Sequence, residues 1–140
     1  PRFNAFGNLM GLALIAFGFA TSSREEPLWD KEPRFYAAVA LPCLGGLLAA
    51  LALSWCCGLD APQRVAVTVE TSYQNTGIAL TLALASFPEA ERSAAAGVPL
   101  FYGLVETVVL PLFLLCAWRL GLTYAPPRDP LLQVLARSYQ

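Results

Sequence analysis

Histidine is absent from this chain and charge is scarce: Lys and Arg number 9, Asp and Glu 10, together 14% of 140 residues. Without histidine, imidazole acid–base catalysis, Ser-His-Asp triads and His-containing zinc sites are excluded within the segment. The four cysteines (Cys43, Cys56, Cys57, Cys116) include no Cys-x-x-Cys pair, which removes the common thiol redox and zinc-ribbon patterns. No Walker loop and no Gly-x-Gly-x-x-Gly turn is present, so no nucleotide or other organic cofactor is expected. A formal net charge of −1 offers no basic surface for nucleic acid, and none is expected as a partner. The chain is read as a non-enzyme.

What fills the sequence is apolar. Hydrophobic residues make up 56% and mean hydropathy is +0.54, whereas soluble domains carry about 25% charged residues. Four long stretches stand out: Phe3–Ala20, Phe35–Leu59, Val65–Phe87 and Ala94–Trp118. The second holds no charge; the third holds only Glu70 and the fourth only Glu106. Each has the ~17 residues or more that a helix needs to cross a ~30 Å hydrocarbon core. Buried helices of a soluble bundle are the competing reading, but those carry a polar face. The expected fold is therefore an all-α polytopic membrane protein with four transmembrane segments, the lipid bilayer being its surroundings.

The chain opens at Pro1 almost directly into the first stretch, with no charged leader and small-residue cleavage site, so it reads as a piece of a longer protein. Connections of roughly Thr21–Arg34, Asp60–Arg64 and Pro88–Ser93 leave no room for a soluble domain. Residues 1–140 form one membrane domain, and the polar, Pro-rich tail at 119–140 is expected to fray. With four spans, one side carries Arg2, Arg64, Arg119, Arg128 and Arg137, the other Arg24, Lys31, Arg34 and Arg92. That small excess favours a cytoplasmic tail, in a plasma, organelle or plastid membrane alike. Gly7/Gly11, Gly45/Ala49 and Gly46/Ala50 have the small-x-x-x-small spacing of close helix contacts. Cys56 and Cys57, at the end of the second stretch, read as interface packing or as acylation sites.

The third stretch carries the chemistry. Glu70-Thr71-Ser72-Tyr73-Gln74-Asn75-Thr76-Gly77 is polar inside an apolar run. A carboxylate at membrane depth costs roughly 2.5–3.5 kcal/mol and normally faces protein, water or an ion. On a helix, Glu70, Tyr73, Gln74 and Gly77 share one stripe, and Thr68, Thr71 and Asn75 an adjacent one. The composition of Gln74–Gly77 favours an interrupted helix, whose freed carbonyls hold coupling ions in transporters. Carboxylate, amide and hydroxyl oxygens are the ligands of a hard cation such as sodium. The alternative is a hydrogen-bond cluster that only joins helices.

Glu70-Thr71-Ser72-Tyr73-Gln74-Asn75 resembles the Glu-x-Gly-x-Gln-Asn motif of the bile acid:sodium symporter family. Leu41–Leu48, Gln63-Arg64, Ser86–Glu89 and Pro99–Tyr102 resemble the motif's surroundings, and the likeness runs roughly from Leu41 to Leu120. Ser72 departs from the family's usual Gly, and Glu106 stands where relatives tend to have a neutral polar residue. The resemblance implies a ten-span fold of two inverted repeats, of which this chain would be the last four spans, the third being a crossing, broken helix. It implies sodium as the co-transported ion, with Glu70 serving two sodium sites, Gln74 and the backbones of Thr71 and Tyr73 serving one of them, and Asn75 facing the substrate cavity. Thr68 and Glu106 would support the site from behind, and the N-terminal half would complete it.

The function implied is sodium-coupled symport of an organic anion: a bile acid, a sulfated steroid or a small carboxylate. Two alternatives stay open, a family-like membrane protein that regulates without transporting and a proton- or ion-coupled carrier of related fold. Glu106 itself reads either as a selectivity residue or as a structural carboxyl donating to a neighbouring helix.

Overall fold

A computed structural model describes residue 13, residues 30–137 and residue 139. The first expected span and the Gly7/Gly11 pair lie outside the described residues. The rest is helical, with no strand among the described residues: α1 Pro33–Cys56, α2 Ala61–Ser72, α3 Thr76–Ser86, α4 Glu89–Arg119 and α5 Leu131–Ala136.

Two of these helices are long and apolar enough to cross a membrane: α1, with 24 residues, and α4, with 31, each reaching a mean hydropathy of 2.1. Only 28% and 22% of their most apolar windows are buried. A core helix of a soluble protein would hide most of that surface. Here Leu41, Leu48, Leu53, Val108 and Leu112 are all more than half exposed. The long helices also carry internal prolines, Pro42 in α1 and Pro99 and Pro111 in α4. In water each would cost about 3 kcal/mol in a helix interior; membrane helices tolerate them, because neighbouring groups re-satisfy the freed carbonyls.

The third expected stretch is two short helices. α2 has 12 residues and α3 has 11, so neither alone spans a bilayer by the ~20-residue criterion. Local chemistry sets their ends. α1 stops at a glycine with φ +73°, Gly58. The Gly58 N–H donates to the Trp55 carbonyl at 2.9 Å and the Leu59 N–H to the Ser54 carbonyl at 3.2 Å, the pair of bonds that closes a helix around a left-handed residue. Asp60 follows at once and caps α2, accepting from the Gln63 N–H at 3.3 Å. The Arg64 guanidinium lies 6.0 Å from the Trp55 ring. Further on, Glu89 and Glu91 in the first turn of α4 and Arg119 in its last complement the helix dipole.

By its contacts the described chain divides into two compact units. One comprises the start of α1 up to Leu41 with Gln74–Val105. Val39, Ala83, Ala96 and Leu100 are buried there. Phe101 of α4 packs against Phe35 and Tyr36 of α1, with ring centroids 5.7 and 5.1 Å apart. The other comprises Pro42–Tyr73 and the chain from Glu106 onward, and buries Cys43, Leu47, Ala50, Val65, Leu110 and Ala117. On α1 the buried positions 43, 47, 50 and 54, and on α2 positions 65, 68 and 72, recur at spacings of three and four, the mark of a single inward stripe.

Two expectations change. Gly45 and Gly46 face open space, with nothing within 4 Å of a Cβ built on either, so these glycines mediate no close contact among the described residues. The expected frayed tail is folded: α4 ends on Gly121, φ +71°, with Gly121 N–H to the Trp118 carbonyl and Leu122 N–H to the Ala117 carbonyl, both 2.9 Å. The chain then turns back. The buried indole of Trp118 donates through Nε1 to the Pro126 carbonyl at 2.8 Å, and the Arg119 guanidinium stacks 4.3 Å from the Trp118 ring. Ala125 is buried beside this turn. A proline-rich segment has few N–H donors of its own, so its carbonyls are free to accept from side chains.

The Trp118 anchor is testable. Trp118→Phe keeps the apolar bulk but loses the hydrogen bond, at a cost of about 0.5–1.5 kcal/mol. Trypsin cleavage after Arg128 in the purified protein should become several-fold faster than in wild type; unchanged cleavage would show that the indole does not hold the tail.

Candidate functional site

The polar motif coincides with the break between α2 and α3. α2 ends at Ser72, and the Tyr73 N–H makes the last helical bond, to the Val69 carbonyl at 2.9 Å. Tyr73 is extended, φ −74° and ψ 114°. Asn75, φ −79° and ψ 80°, lies at the centre of a tight turn closed by the Thr76 N–H on the Gln74 carbonyl, 2.9 Å; these are the angles of an inverse γ-turn. The Asn75 side chain then accepts from the Ile78 N–H at 3.0 Å and starts α3. The expected interruption at Gln74–Gly77 thus falls at Tyr73–Asn75, because asparagine is a strong N-cap and draws Thr76 and Gly77 into the following helix.

This geometry leaves acceptors over. A continuous helix would have engaged the carbonyls of residues 70 to 73. Among the described residues no backbone N–H donates to those of Glu70, Ser72 or Tyr73. They stand at the C-terminal end of α2, where the helix dipole is negative, beside the Glu70 carboxylate on the last turns of the same helix. A few residues along, α3 presents its N-terminus, the positive end. One short linker therefore carries a cation-favouring terminus and an anion-favouring one.

The expected ligands separate by exposure. Glu70, Thr71, Tyr73, Gln74 and Asn75 are all exposed. They do not form the continuous stripe expected of an unbroken helix, since α2 stops before Tyr73. Thr68, read as support for the site, is fully buried, and Ser72 is buried too. Glu106 is also buried, at 4% exposure, on the inward stripe of α4. The Asn75 amide oxygen, expected in a substrate cavity, is engaged in capping. Among the described residues no group of three or more His, Cys, Asp or Glu side chains is placed to hold a metal ion; an ion at the break would rest on one carboxylate with neutral side-chain and backbone oxygens.

Two residues carry more weight than the sequence reading gave them. Ser72 figured only as a departure from Gly, yet it lies four residues after Thr68, and that spacing places both hydroxyls on one face. Gly103 was passed over. A Cβ there would stand 3.3 Å from the Thr76 hydroxyl, so a glycine on α4 makes room for the first residue of α3. Its signal is a lone glycine inside a long helical run.

Compared with known proteins, the chain matches no protein-family model, no curated protein and no solved structure.

The cap gives a clean test of the break. Asn75→Ala should lower stability in detergent by about 1 kcal/mol through loss of the Ile78 bond, while Asn75→Asp, which keeps an accepting oxygen, should stay near wild type. Equal thermal midpoints for Asn75→Ala and wild type would show that the turn does not depend on this side chain.

Proposed function

We propose that the chain is a membrane-embedded part of a sodium-coupled carrier of an organic anion. Phe3–Ala20, α1, the α2–α3 pair and α4 would be its four crossings, with the C-terminal tail on the cytoplasmic side. The observation that carries the reading is the helix break beside Glu70. A charged carboxylate, unclaimed carbonyls and the negative end of α2 converge within a few residues, which is how broken membrane helices hold a coupling cation. Sodium suits this set, since it is hard, takes oxygen ligands and needs only one formal negative charge.

In this reading Glu70 supplies the charge. Gln74, with the backbones of Thr71 and Tyr73, completes the oxygen shell. The N-terminus of α3, fixed by the Asn75 cap, favours the anionic end of the cargo. The exposed side of the motif is where a preceding repeat would pack and supply the remaining ligands. The motif likeness to the bile acid:sodium symporter family supports the cargo class; the geometry supports the cation more strongly than the cargo.

The test is uptake by the full-length protein in proteoliposomes, with sodium replaced by choline at constant pH. Glu70→Gln keeps the shape and removes the charge. Sodium-dependent uptake should fall at least tenfold, equivalent to ~1.4 kcal/mol of lost ion binding. Sodium dependence equal to wild type would refute the role of Glu70. Uptake driven by a proton gradient in choline would favour the proton-coupled alternative, and no uptake at all the non-transporting one.

A further inference from the structure

The helix α5 is amphipathic in the sense opposite to that of a helix in water. Leu132 and Leu135 face outward, 81% and 74% exposed, with Leu131 at 44%. Gln133 and Val134 are the half-covered residues. At about 100° per residue the three leucines fall within one arc of ~100°, a single apolar face. A surface helix in water would hide that arc and expose its glutamine. The face is also held in place. The Trp118 indole bond to the Pro126 carbonyl, 2.8 Å, ties the segment before α5 to the end of α4. The Tyr139 hydroxyl donates to the Asp129 carboxylate at 3.1 Å and closes the chain across the helix. Leu131 follows Pro126 by five residues, so it lies at most ~18 Å from that anchor.

That anchor is where an apolar helix meets polar surroundings. The apolar run of α4 ends at Trp118, and Arg119 follows it, exposed. From there onward the chain carries Arg119, Arg128 and Arg137 against one carboxylate, Asp129. All three arginines are exposed, and Asp129 accepts from Tyr139. Arg128 and Arg137 flank the leucines on either side in sequence. We infer that α5 lies on the membrane surface, its leucines seated at the boundary between headgroups and acyl chains and its flanking arginines on anionic headgroups. An apolar arc bordered by basic residues is the composition of interfacial helices. The anionic lipids of a cytoplasmic leaflet supply the opposite charge. Charge decides against a second copy of the chain as the occupant, since it would bring its own arginines against these. The inference rests on α4 crossing a membrane with its C-terminal end on the cytoplasmic side, and not on transport.

The experiment places the purified full-length protein in nanodiscs, one copy per disc, of phosphatidylcholine alone or with about one third phosphatidylserine. Amide hydrogen exchange over residues 131–136 is followed by mass spectrometry. Each arginine near an anionic surface strengthens attachment about fivefold. Exchange in wild type should therefore be at least about fivefold slower with phosphatidylserine, and the difference should shrink in high salt. Leu132→Ala with Leu135→Ala keeps helix-forming residues and removes the apolar face. Its exchange should be fast in both lipids, with the thermal midpoint in detergent unchanged, because both positions are exposed. Arg128→Gln with Arg137→Gln should make the two lipids equal, with exchange still slower than in the leucine variant. Equal exchange in the two lipids for wild type, or slow exchange in the leucine variant, overturns the inference. Slowing that appears only with two copies per disc overturns it too and assigns the face to a second copy. None of these outcomes bears on Glu70, whose role sodium-dependent uptake tests separately.

Discussion

Everything in this structure turns on where a helix is allowed to stop among apolar residues. Backbone N–H and C=O groups removed from water must be paired, and each unpaired one costs on the order of kilocalories. The chain meets this demand in a different way at each end. Gly58 and Gly121 close α1 and α4 with left-handed turns that spend the terminal carbonyls. Asp60 and Asn75 open α2 and α3 with side-chain caps that each accept from one terminal N–H group. The C-terminal ends of α2 and α3 lack such a closure, Tyr73 and Phe87 both being extended. Tyr73 is extended where a glycine-type turn would have been needed, and the carbonyls ahead of it stay open. Of the two, the end of α2 is the one that falls on residues with polar side chains, Glu70 to Asn75.

Much of this was legible in the sequence, for reasons that particular residues make clear. α1 and α4 announce themselves by length and hydropathy, which need no tertiary information. The break announces itself by Gln-Asn-Thr-Gly inside an apolar run, since an asparagine that caps and a glycine that weakens a helix act locally. What could not be read depends on neighbours distant in sequence. The motif's two helical stripes presumed a helix that Asn75 ends. Gly45 and Gly46 have the spacing of a contact and no partner within reach, whereas Gly103 has the partner, Thr76, and no spacing signal. The tail reads as loose because proline and charge suggest it; its order comes from one tryptophan eight residues upstream.

Burial also divides the polar residues in a way composition cannot reveal. Helical spacing alone set Thr68 beside Thr71 and Asn75. In the structure Thr68 turns inward with Val65 and Ser72, while Thr71, three residues later, is exposed. At about 100° per residue, Val65 and Ser72 fall about 60° and 40° to one side of Thr68 and Thr71 about 60° to the other, so a narrow inward stripe includes the first three and excludes Thr71. The residues read as ligands are the exposed ones; Thr68 and Glu106, read as support for the site, and Ser72, read as a departure from Gly, are the buried ones.

That division bears on how the chain would tolerate change. The exposed motif carries its polar groups where solvent or a neighbouring segment can satisfy them, so the α2–α3 linker can adjust without penalty to the core. The inward hydroxyls have no such freedom: Thr68 is sealed and its oxygen, without a partner, bears the desolvation cost of an orphan. The two sets of oxygens on α2 thus differ in how freely their surroundings can be rearranged, and that difference follows from which face of a twelve-residue helix each side chain occupies.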